Sequence, residues 1–195
     1  MIDDEYQRLY LEHQQRKRAS LRGDHLTDEA VVSLRSVRRF RAEPVTLSEE
    51  ERLVEAVRQA PSSCNRHPVS VGLVTCLDGR MALERLLVGG AGWLAGAPLV
   101  MLFFADGRAY KGPREIQWMP WLDCAAALTY ARGVAYAMGL GSCWVNPYVR
   151  DDQQLEFNRR FNPELLRFGS ALAVGHPAEQ PPEPPRPSSV VYYRE

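Results

Sequence analysis

The sequence predicts one domain of the α+β class. A chain of 195 residues suits a single domain with at most a short appendage. Two β-rich apolar runs, residues 69–77 and 97–105, are bounded by Gly, Pro or Asp and predict buried strands. Two segments with helical patterning, residues 46–60 and 123–138, predict the main helices.

The N-terminal region, residues 1–29, is predicted to be a helical extension of the main domain, residues 30–195. Tyr6, Leu9 and Tyr10 recur at helical spacing in a polar segment, and a second short helix is predicted over residues 27–34. The extension packs either on the domain or on a partner, and the sequence leaves both open.

The helix over residues 46–60 has the clearest start signal in the chain. Ser48 and Glu51 match a capping box, an apolar face around Leu53 follows, and Pro61 ends the helix. The alanine-rich helix over residues 123–138 is apolar on nearly every side, which predicts complete burial. Gly139 and Gly141 end it. Further predicted elements are a strand at 143–145, a polar helix at 151–161 and a strand at 170–175.

The C-terminal segment is rich in proline. Six prolines between Pro177 and Pro187 force an extended course, and a β-like run at residues 190–193 follows. Such an arm is suited to cross a neighbouring surface, including that of a second subunit.

Composition excludes several classes of partner. Lys+Arg and Asp+Glu are both 24, and this zero balance argues against nucleic acid. No apolar run reaches the roughly 18–20 residues of a membrane-spanning helix. The charged first 18 residues do not resemble a secretory signal, and the four cysteines are widely spaced. We therefore expect a cytoplasmic protein with reduced thiols and no membrane partner.

Three clusters could carry chemistry. Arg35, Ser36 and Arg38 can hold a phosphate dianion, or they form a solvated basic turn. The loop at residues 60–68 offers small polar side chains between two prolines, or it is an ordinary helix-to-strand connection. The glycines at residues 139–141 let backbone amides approach a ligand, or they only end a helix.

In this order the clusters resemble the nitroreductase family. The matching motifs are Arg35-Ser36-Val37-Arg38-Arg39-Phe40, Pro61-Ser62-Ser63-Cys64-Asn65-Arg66-His67-Pro68, Gly139-Leu140-Gly141-Ser142, Ala173-Val174-Gly175-His176-Pro177-Ala178-Glu179 and a lone Arg186. The resemblance covers roughly residues 30–195. It implies a three-layer α/β/α sandwich whose central sheet is mixed but mostly antiparallel. It also implies a homodimer that exchanges its C-terminal strand and has two FMN sites at the subunit interface.

The resemblance assigns cofactor-binding roles and no catalytic side chain or metal ligand. Arg35, Ser36, Arg38 and Arg186 would hold the phosphate and ribityl end of FMN. Pro61, Ser62, Ser63 and Asn65 would border the flavin ring from the other subunit. At Val145 and Asn146 a backbone amide would meet flavin N5 and stabilise the electron density of the reduced flavin.

The implied activity is an FMN-dependent oxidoreductase. NADH or NADPH would donate hydride, and a nitroaromatic, quinone or similar small-molecule acceptor would then use the same site in a ping-pong cycle. Three alternatives stay open: reductive dehalogenation, flavin fragmentation, and a non-catalytic protein that stores or senses FMN.

Several residues depart from the family pattern. Leu34 stands where many relatives have a basic residue, His67 replaces Gln, and Val69 replaces an aromatic residue. Pro147 follows the N5-facing position and cannot donate a backbone hydrogen bond. The absence of a hydroxyl at Val145 and Asn146 favours hydride transfer over one-electron chemistry. Four aromatic residues either gate the substrate or pack in the core or dimer: Trp93, Tyr110, Trp118 and Trp121.

Overall fold

The computed structural model describes residues 33–184. The predicted N-terminal extension, Arg186 and the terminal run at residues 190–193 lie outside the described residues. In chain order the main elements are α1 (Leu47–Gln59), β1 (Val69–Val74), α2 (Leu77–Leu86), β2 (Leu99–Ala105), α3 (Gly112–Ala137), β3 (Gly141–Val145), α4 (Gln154–Phe161) and β4 (Arg167–Gly175).

The four strands form one antiparallel sheet in the order β1-β2-β4-β3. A single parallel bridge joins Ser36 to Ser142 beside β3. The expected mostly antiparallel character is therefore confirmed. β2 is buried along its whole length, as predicted, whereas β1 is only partly buried. The prediction of two buried strands was wrong for β1 because it lies at the edge of the sheet, with one neighbour instead of two.

Alternation along the strands distributes the core to both faces of the sheet. From β2, Met101 and Phe103 pack with α1 and α3, whereas Val100 and Leu102 pack with α2 and α4. Successive side chains of a strand point to opposite faces, so a strand covered on both sides reads as one apolar run. The arrangement is the three-layer α/β/α sandwich that the resemblance implied.

The N-cap of helix α1 lies two residues earlier than predicted. Thr46, not Ser48, caps the helix, and it forms a reciprocal capping box with Glu49. Two overlapping matches to the capping-box pattern occur here. Val45 is buried in the core, which anchors the chain directly before Thr46 and selects the earlier match.

Helix α2 corrects the predicted end of the first strand. β1 ends at Val74, and Leu77 begins a ten-residue helix instead of ending the strand. Leu77 and Met81 are exposed, whereas Leu83 and Leu86 are buried against the sheet. Apolar residues thus occur on both the exposed and the buried side of α2, so its sequence shows no clear helical periodicity.

Helix α3 is longer than predicted and has two distinct faces. It spans 26 residues, contains Pro120, and is followed by Gly139 with a φ of 76°. Its core face carries Cys124, Ala127 and Ala131, which are almost completely buried. The predicted complete burial is not reached within the single chain, because an outer apolar face of α3 is left uncovered. That face includes Trp118, Trp121, Leu122, Tyr130 and Tyr136, which are 37–60% exposed.

The remaining predicted elements are present with shifted ends. β3 begins at Gly141 and β4 at Arg167, and a 3₁₀ turn, Asp151–Gln153, precedes α4. Among the helices of residues 33–184, none has both the length and the apolar character required to cross a bilayer.

Candidate functional site

The basic segment lies beside the edge strand β3. The backbone N–H of Val37 donates to the carbonyl of Ser142 at 3.0 Å, and Ser36 forms a parallel bridge with Ser142. A Cβ at Gly141 would come within 2.9 Å of the Val37 side chain, so only glycine allows this approach. Two of the three clusters predicted from the sequence, some hundred residues apart in the chain, are thus brought together.

Arg35 faces a cavity at the C-terminal end of α3. The cavity has a volume of about 860 Å³, and its walls include Arg35, Tyr136, the residues of the Gly139 turn, and Glu179. This volume lies within the ~300–1,000 Å³ that is usual for ligand sites. The Arg35 guanidinium lies 3.6 Å from the carboxylate of Glu183, which is mostly exposed, so the pair is well screened by solvent.

Ser36 and Arg38 reach towards different partners. Burial raises the pKa of the Cys143 thiol, against the opposing effects of nearby Arg38 and Ser36. The Arg38 guanidinium lies over the ring of Trp93, 5.8 Å from its centroid. Such a cation–π contact leaves the guanidinium edge available to an anion.

Trp93 connects Arg38 to the predicted N5-facing position. The indole N–H of Trp93 donates to the carbonyl of Gly89 at 3.1 Å. A Cβ at Gly89 would lie 3.1 Å from Oδ1 of Asn146, so glycine permits close packing there. Asn146 is exposed directly after β3, and its Oδ1 accepts from the backbone N–H of Tyr148. Val145 is buried, and its carbonyl accepts from Ser170 at 2.7 Å.

Glu179 holds the basic segment in place, a role that the sequence analysis missed. Its carboxylate accepts from the backbone N–H groups of Arg38 at 2.7 Å and Arg39 at 3.0 Å, and from Nε of Arg39 at 3.0 Å. The Arg38 N–H, and next the Arg39 side chain, lower the pKa of Glu179. The motif ending in Glu179 was recognised, but nothing in the sequence named its partner 141 residues away.

Lowering the pH should loosen this contact. The pKa of Glu179 is lower in the folded chain than in the unfolded chain, so its contribution to stability is full above the unfolded value of about 4.5. That contribution is lost as the pH falls through the lower, folded-state pKa. We expect Glu179→Gln to reduce the melting temperature at pH 7 and to flatten its decline between about pH 5 and pH 3.

Thermal melts at several pH values test this expectation, with Glu51→Gln as the matched control. Glu51 is exposed on α1. Some decline should remain in Glu179→Gln, because the pKa values of Glu115 and Glu156 are also lowered by hydrogen bonds. Identical pH profiles for the Glu179 and Glu51 variants would contradict the assignment.

The Pro61–Asn65 loop has an unusual backbone. Cys64, Asn65 and His67 adopt φ values of 52°, 55° and 48°, in the left-handed region. For residues with a Cβ this conformation costs roughly 1–2 kcal/mol each, least for Asn. The Ser62 hydroxyl accepts from the His67 N–H at 2.8 Å, and His67 Nε2 lies 2.9 Å from Asn65 Oδ1. Local hydrogen bonds thus hold a strained, outward-facing turn.

Asp123 fastens this loop to α3, and the sequence analysis missed its role. One carboxylate oxygen accepts from the Ser63 backbone N–H at 2.8 Å and from the Ser63 hydroxyl at 3.1 Å. The other accepts from the Tyr110 hydroxyl at 2.9 Å. Asp123 is only 4% exposed. A carboxylate at the start of the apolar helix predicted over residues 123–138 was the available signal, because a buried charge requires partners.

The loop and the basic segment lie far apart within one chain. Ser63 is bound at Asp123, whereas Arg35 shares its cavity with Tyr136, thirteen residues further along α3. At 1.5 Å per residue this separation is about 20 Å along the helix axis. Pro61 and Ser62 line a different cavity, of about 460 Å³, which does not include the basic segment. Arg186 lies outside the described residues.

Comparison with known proteins identifies the family. The family model described as Nitroreductase family matches residues 31–90 and 80–176. A relative from Bacillus subtilis named FMN reductase [NAD(P)H] is 30% identical over 186 residues, which is 86% of this chain and 74% of the relative. This chain belongs to the nitroreductase family.

Solved structures agree with the nitroreductase fold. A protein from Desulfovibrio desulfuricans, assigned as a nitroreductase and solved in complex with FMN, superposes with a TM-score of 0.73 at 25% identity. The match covers 86% of this chain and 95% of that protein. The Bacillus megaterium protein NfrA2 gives a TM-score of 0.74 at 24% identity, over 88% of this chain and 74% of its own.

The four aromatic residues of this nitroreductase-family chain do not form one cluster. Tyr110 is buried and donates to Asp123, while Trp93 is half-buried beneath Arg38. Trp118 and Trp121 lie on α3 itself and are 60% and 44% exposed. Of the two alternatives for these residues, packing therefore describes Tyr110, and only Trp93 lies beside the basic segment.

Proposed function

We propose that this protein is an FMN-dependent oxidoreductase that takes electrons from NADH or NADPH. One observation carries the proposal: the basic segment and the N5-facing residue converge on one side of the molecule. Arg38 lies over the ring of Trp93, and the indole N–H of Trp93 is hydrogen-bonded to the carbonyl of Gly89. Gly89 in turn packs against Asn146. A phosphate site and a flavin-ring site at opposite ends of one short path are what a bound FMN requires. The Bacillus subtilis relative, named for the same cofactor and donors, supports the assignment.

The residues present fit FMN chemically. Arg35, Ser36 and Arg38, with Arg186, would bind the phosphate, because guanidinium groups pair bidentately with phosphate oxygens. Val145 and Asn146 would border flavin N5. When bound, FMN supplies the electron-transfer chemistry, and the protein binds it, orients it and tunes its environment. No side chain is proposed as an obligatory acid or base. Glu179 holds the basic segment in position.

We propose further that the working unit is a homodimer. Pro61, Ser62, Ser63 and Asn65 belong to a loop held at Asp123, about 20 Å along α3 from Tyr136, which lines the cavity of Arg35. A second copy could bring its loop to the flavin ring held by the first. The outer face of α3 supports this assembly, because Trp118, Leu122 and Tyr136 recur at helical spacing and stay exposed. Contiguous exposed apolar surface of this kind usually marks an interface. Exchange of the C-terminal strand belongs to the same proposal.

The proposed acceptors are nitroaromatics, quinones or similar small molecules. They would use the same site as the nicotinamide after it has left, which gives ping-pong kinetics. The deciding experiment is steady-state oxidation of NADH and NADPH by the purified, FMN-loaded protein with a panel of acceptors. Parallel double-reciprocal plots are expected.

Each of the other possible outcomes of this experiment would support one of the alternative functions. Turnover no faster than that of free FMN would favour a storage or sensing protein. Halide release, or loss of the flavin spectrum with formation of a fragmentation product, would indicate the other two reactions on this scaffold.

Cofactor selectivity provides a binding prediction. We expect FMN to bind the apo-protein more tightly than riboflavin, which lacks the phosphate. Arg38→Ala should weaken FMN binding by about 1.5–3 kcal/mol, roughly ten- to a hundredfold, by removing a charge-assisted contact. Riboflavin affinity should change little, and titration followed by flavin fluorescence measures both constants.

The control is Arg159→Ala, which removes an exposed arginine on α4, away from the proposed site. Equal affinity for FMN and riboflavin in the unaltered protein would rule out the phosphate assignment. An Arg38 variant that binds FMN as tightly as the Arg159 variant would remove Arg38 from the site.

A further inference from the structure

The loop that is proposed to border the flavin contains no α-helix or strand of its own that would fix its position. Its short 3₁₀ turn, Ser63–Asn65, contains two residues in the left-handed region, and Cys64 and Asn65 are both exposed. The hydrogen bonds within the loop, which join His67 to Ser62 and to Asn65, hold its shape but do not fix its position against the rest of the domain. What fixes its position is therefore a property of its surroundings.

Two anchors on α3 hold the loop, one on each side of the left-handed pair. Before the pair, Ser63 donates twice to Asp123. After it, Arg66 donates to Glu115 at 2.7 Å. Glu115 also accepts from the backbone N–H of Lys111, which links it to the start of the helix. Both anchors stand on one helix, so the loop is carried by α3 as a unit.

The Asp123 anchor is the buried one. Its three donors come from two separate segments: the backbone N–H and hydroxyl of Ser63, and the hydroxyl of Tyr110. Burial, and next the hydrogen bond to Asp123, raise the pKa of Tyr110. The Tyr110 hydroxyl therefore remains a donor at any physiological pH and keeps the second carboxylate oxygen occupied.

We propose that Asp123 is a positioning residue for the flavin site, acting through Ser63 on the Pro61–Asn65 loop rather than by touching the cofactor. The inference rests on the proposed function, in which this loop borders the flavin held by the other subunit. Asp123 sets where Ser62 and Asn65 stand relative to the ring. Because the outer face of α3 is the proposed dimer surface, the same helix fixes both the docking of the second copy and the loop that it presents.

Asp123→Ala and Asp123→Asn in the full-length protein test the proposal. The alanine variant removes both acceptors from Ser63, and the asparagine variant keeps one carboxamide oxygen for it. We expect Asp123→Ala to weaken FMN binding by about tenfold and to raise KM for the acceptor more than it changes kcat. The midpoint potential of the bound flavin, measured at saturating FMN, should also shift. Asp123→Asn should recover most of each change.

The matched control is Leu128→Val, which loosens the buried core face of the same helix five residues beyond Asp123. A purely structural role for Asp123 would lower the melting temperature in both variants and leave the flavin potential unchanged at saturation. That result would overturn the proposal. If Asp123→Ala does not fold, an Asp123→Asn protein whose flavin potential or KM still differs from that of the unaltered protein supports the proposal. An Asp123→Asn protein with the Leu128→Val phenotype, a lower melting temperature with unaltered potential and KM, overturns it.

Asn65→Ala separates this inference from the proposed function. An unaltered protein that binds no FMN would overturn the proposed function and the inference with it. FMN binding that is sensitive to Asn65→Ala but not to Asp123→Ala would overturn the positioning role alone. Parallel changes in both variants support it.

Discussion

The double variant Leu122→Glu/Ala125→Glu is expected to sediment as a 22.1 kDa monomer and to lose its FMN. Leu122 lies on the face of α3 opposite Cys124, Ala127 and Ala131 and is 58% exposed in the single chain, and Ala125 follows three residues later at the half-buried edge of that face. Two carboxylates in the centre of an apolar interface would have to be desolvated without partners, which is strongly unfavourable. FMN affinity should fall at least about a hundredfold, or ~2.7 kcal/mol, because the loop of the second copy is lost.

Analytical ultracentrifugation with detection at the flavin absorbance measures both effects at once. Leu155→Glu is the matched control, since Leu155 is 63% exposed on α4, in the opposite helical layer. It should keep the mass and the flavin of the unaltered protein. A monomeric double variant that retains stoichiometric FMN would contradict the two-chain site, and a dimeric one would place the interface elsewhere.

The second large effect is expected for Gly169→Ala. Gly169 is the extra residue of a bulge in β4, where Phe103 pairs with Ser170 and Phe104 with Phe168. A Cβ at Gly169 would lie 2.4 Å from both Cβ and Sγ of Cys124 on α3. Because Cys124 is completely buried, the helix and the sheet must separate. We expect a loss of about 3 kcal/mol in the free energy of unfolding, at the upper end of typical overpacking costs.

Urea unfolding at one fixed protein concentration gives this free energy, since the stability of an oligomer depends on concentration. Gly72→Ala is the matched control in the edge strand β1, where a new Cβ meets its neighbours at an ordinary 3.7 Å or more. Its effect should be small. Cys124→Gly should recover part of the loss in the double variant, although glycine costs α3 about 1 kcal/mol. Equal stability of the two alanine variants would refute the close approach of α3 to β4.

Some site contacts were not predictable from the chain alone. Glu179 contacts Arg38 and Arg39, which lie 140 or more residues earlier in the sequence. Asp123 contacts Ser63, which lies 60 residues earlier. No local pattern links such pairs, because the folded backbone alone brings them into contact. The motifs predicted which residues form the site, whereas the contacts that support those residues depend on the folded chain.

The sequence by itself determined the α+β class, the fully buried strand β2, the alanine-rich helix and the family. These features depend on local apolar runs, short capping and glycine signals, and motifs in fixed order, all of which are written in consecutive residues. α2 was not predicted because Leu77 and Met81, which are apolar residues on its exposed side, obscure the helical periodicity of its sequence. Burial of β1 was over-predicted because strand order, and hence edge position, depends on pairing between distant segments.

Only the tertiary structure decided which faces of the elements meet. It divided α3 into a core face at Ala127 and an uncovered face at Leu122, which composition could not distinguish since both are apolar. It also placed Ser63 against Asp123 and Arg35 in a cavity with Tyr136, and these two positions of α3 are about 20 Å apart along the helix, so that the motifs of one proposed site face different neighbours. The physical reason is that hydrophobicity is non-directional: it drives a residue out of water, and the packing of the whole chain determines the surface against which that residue is buried.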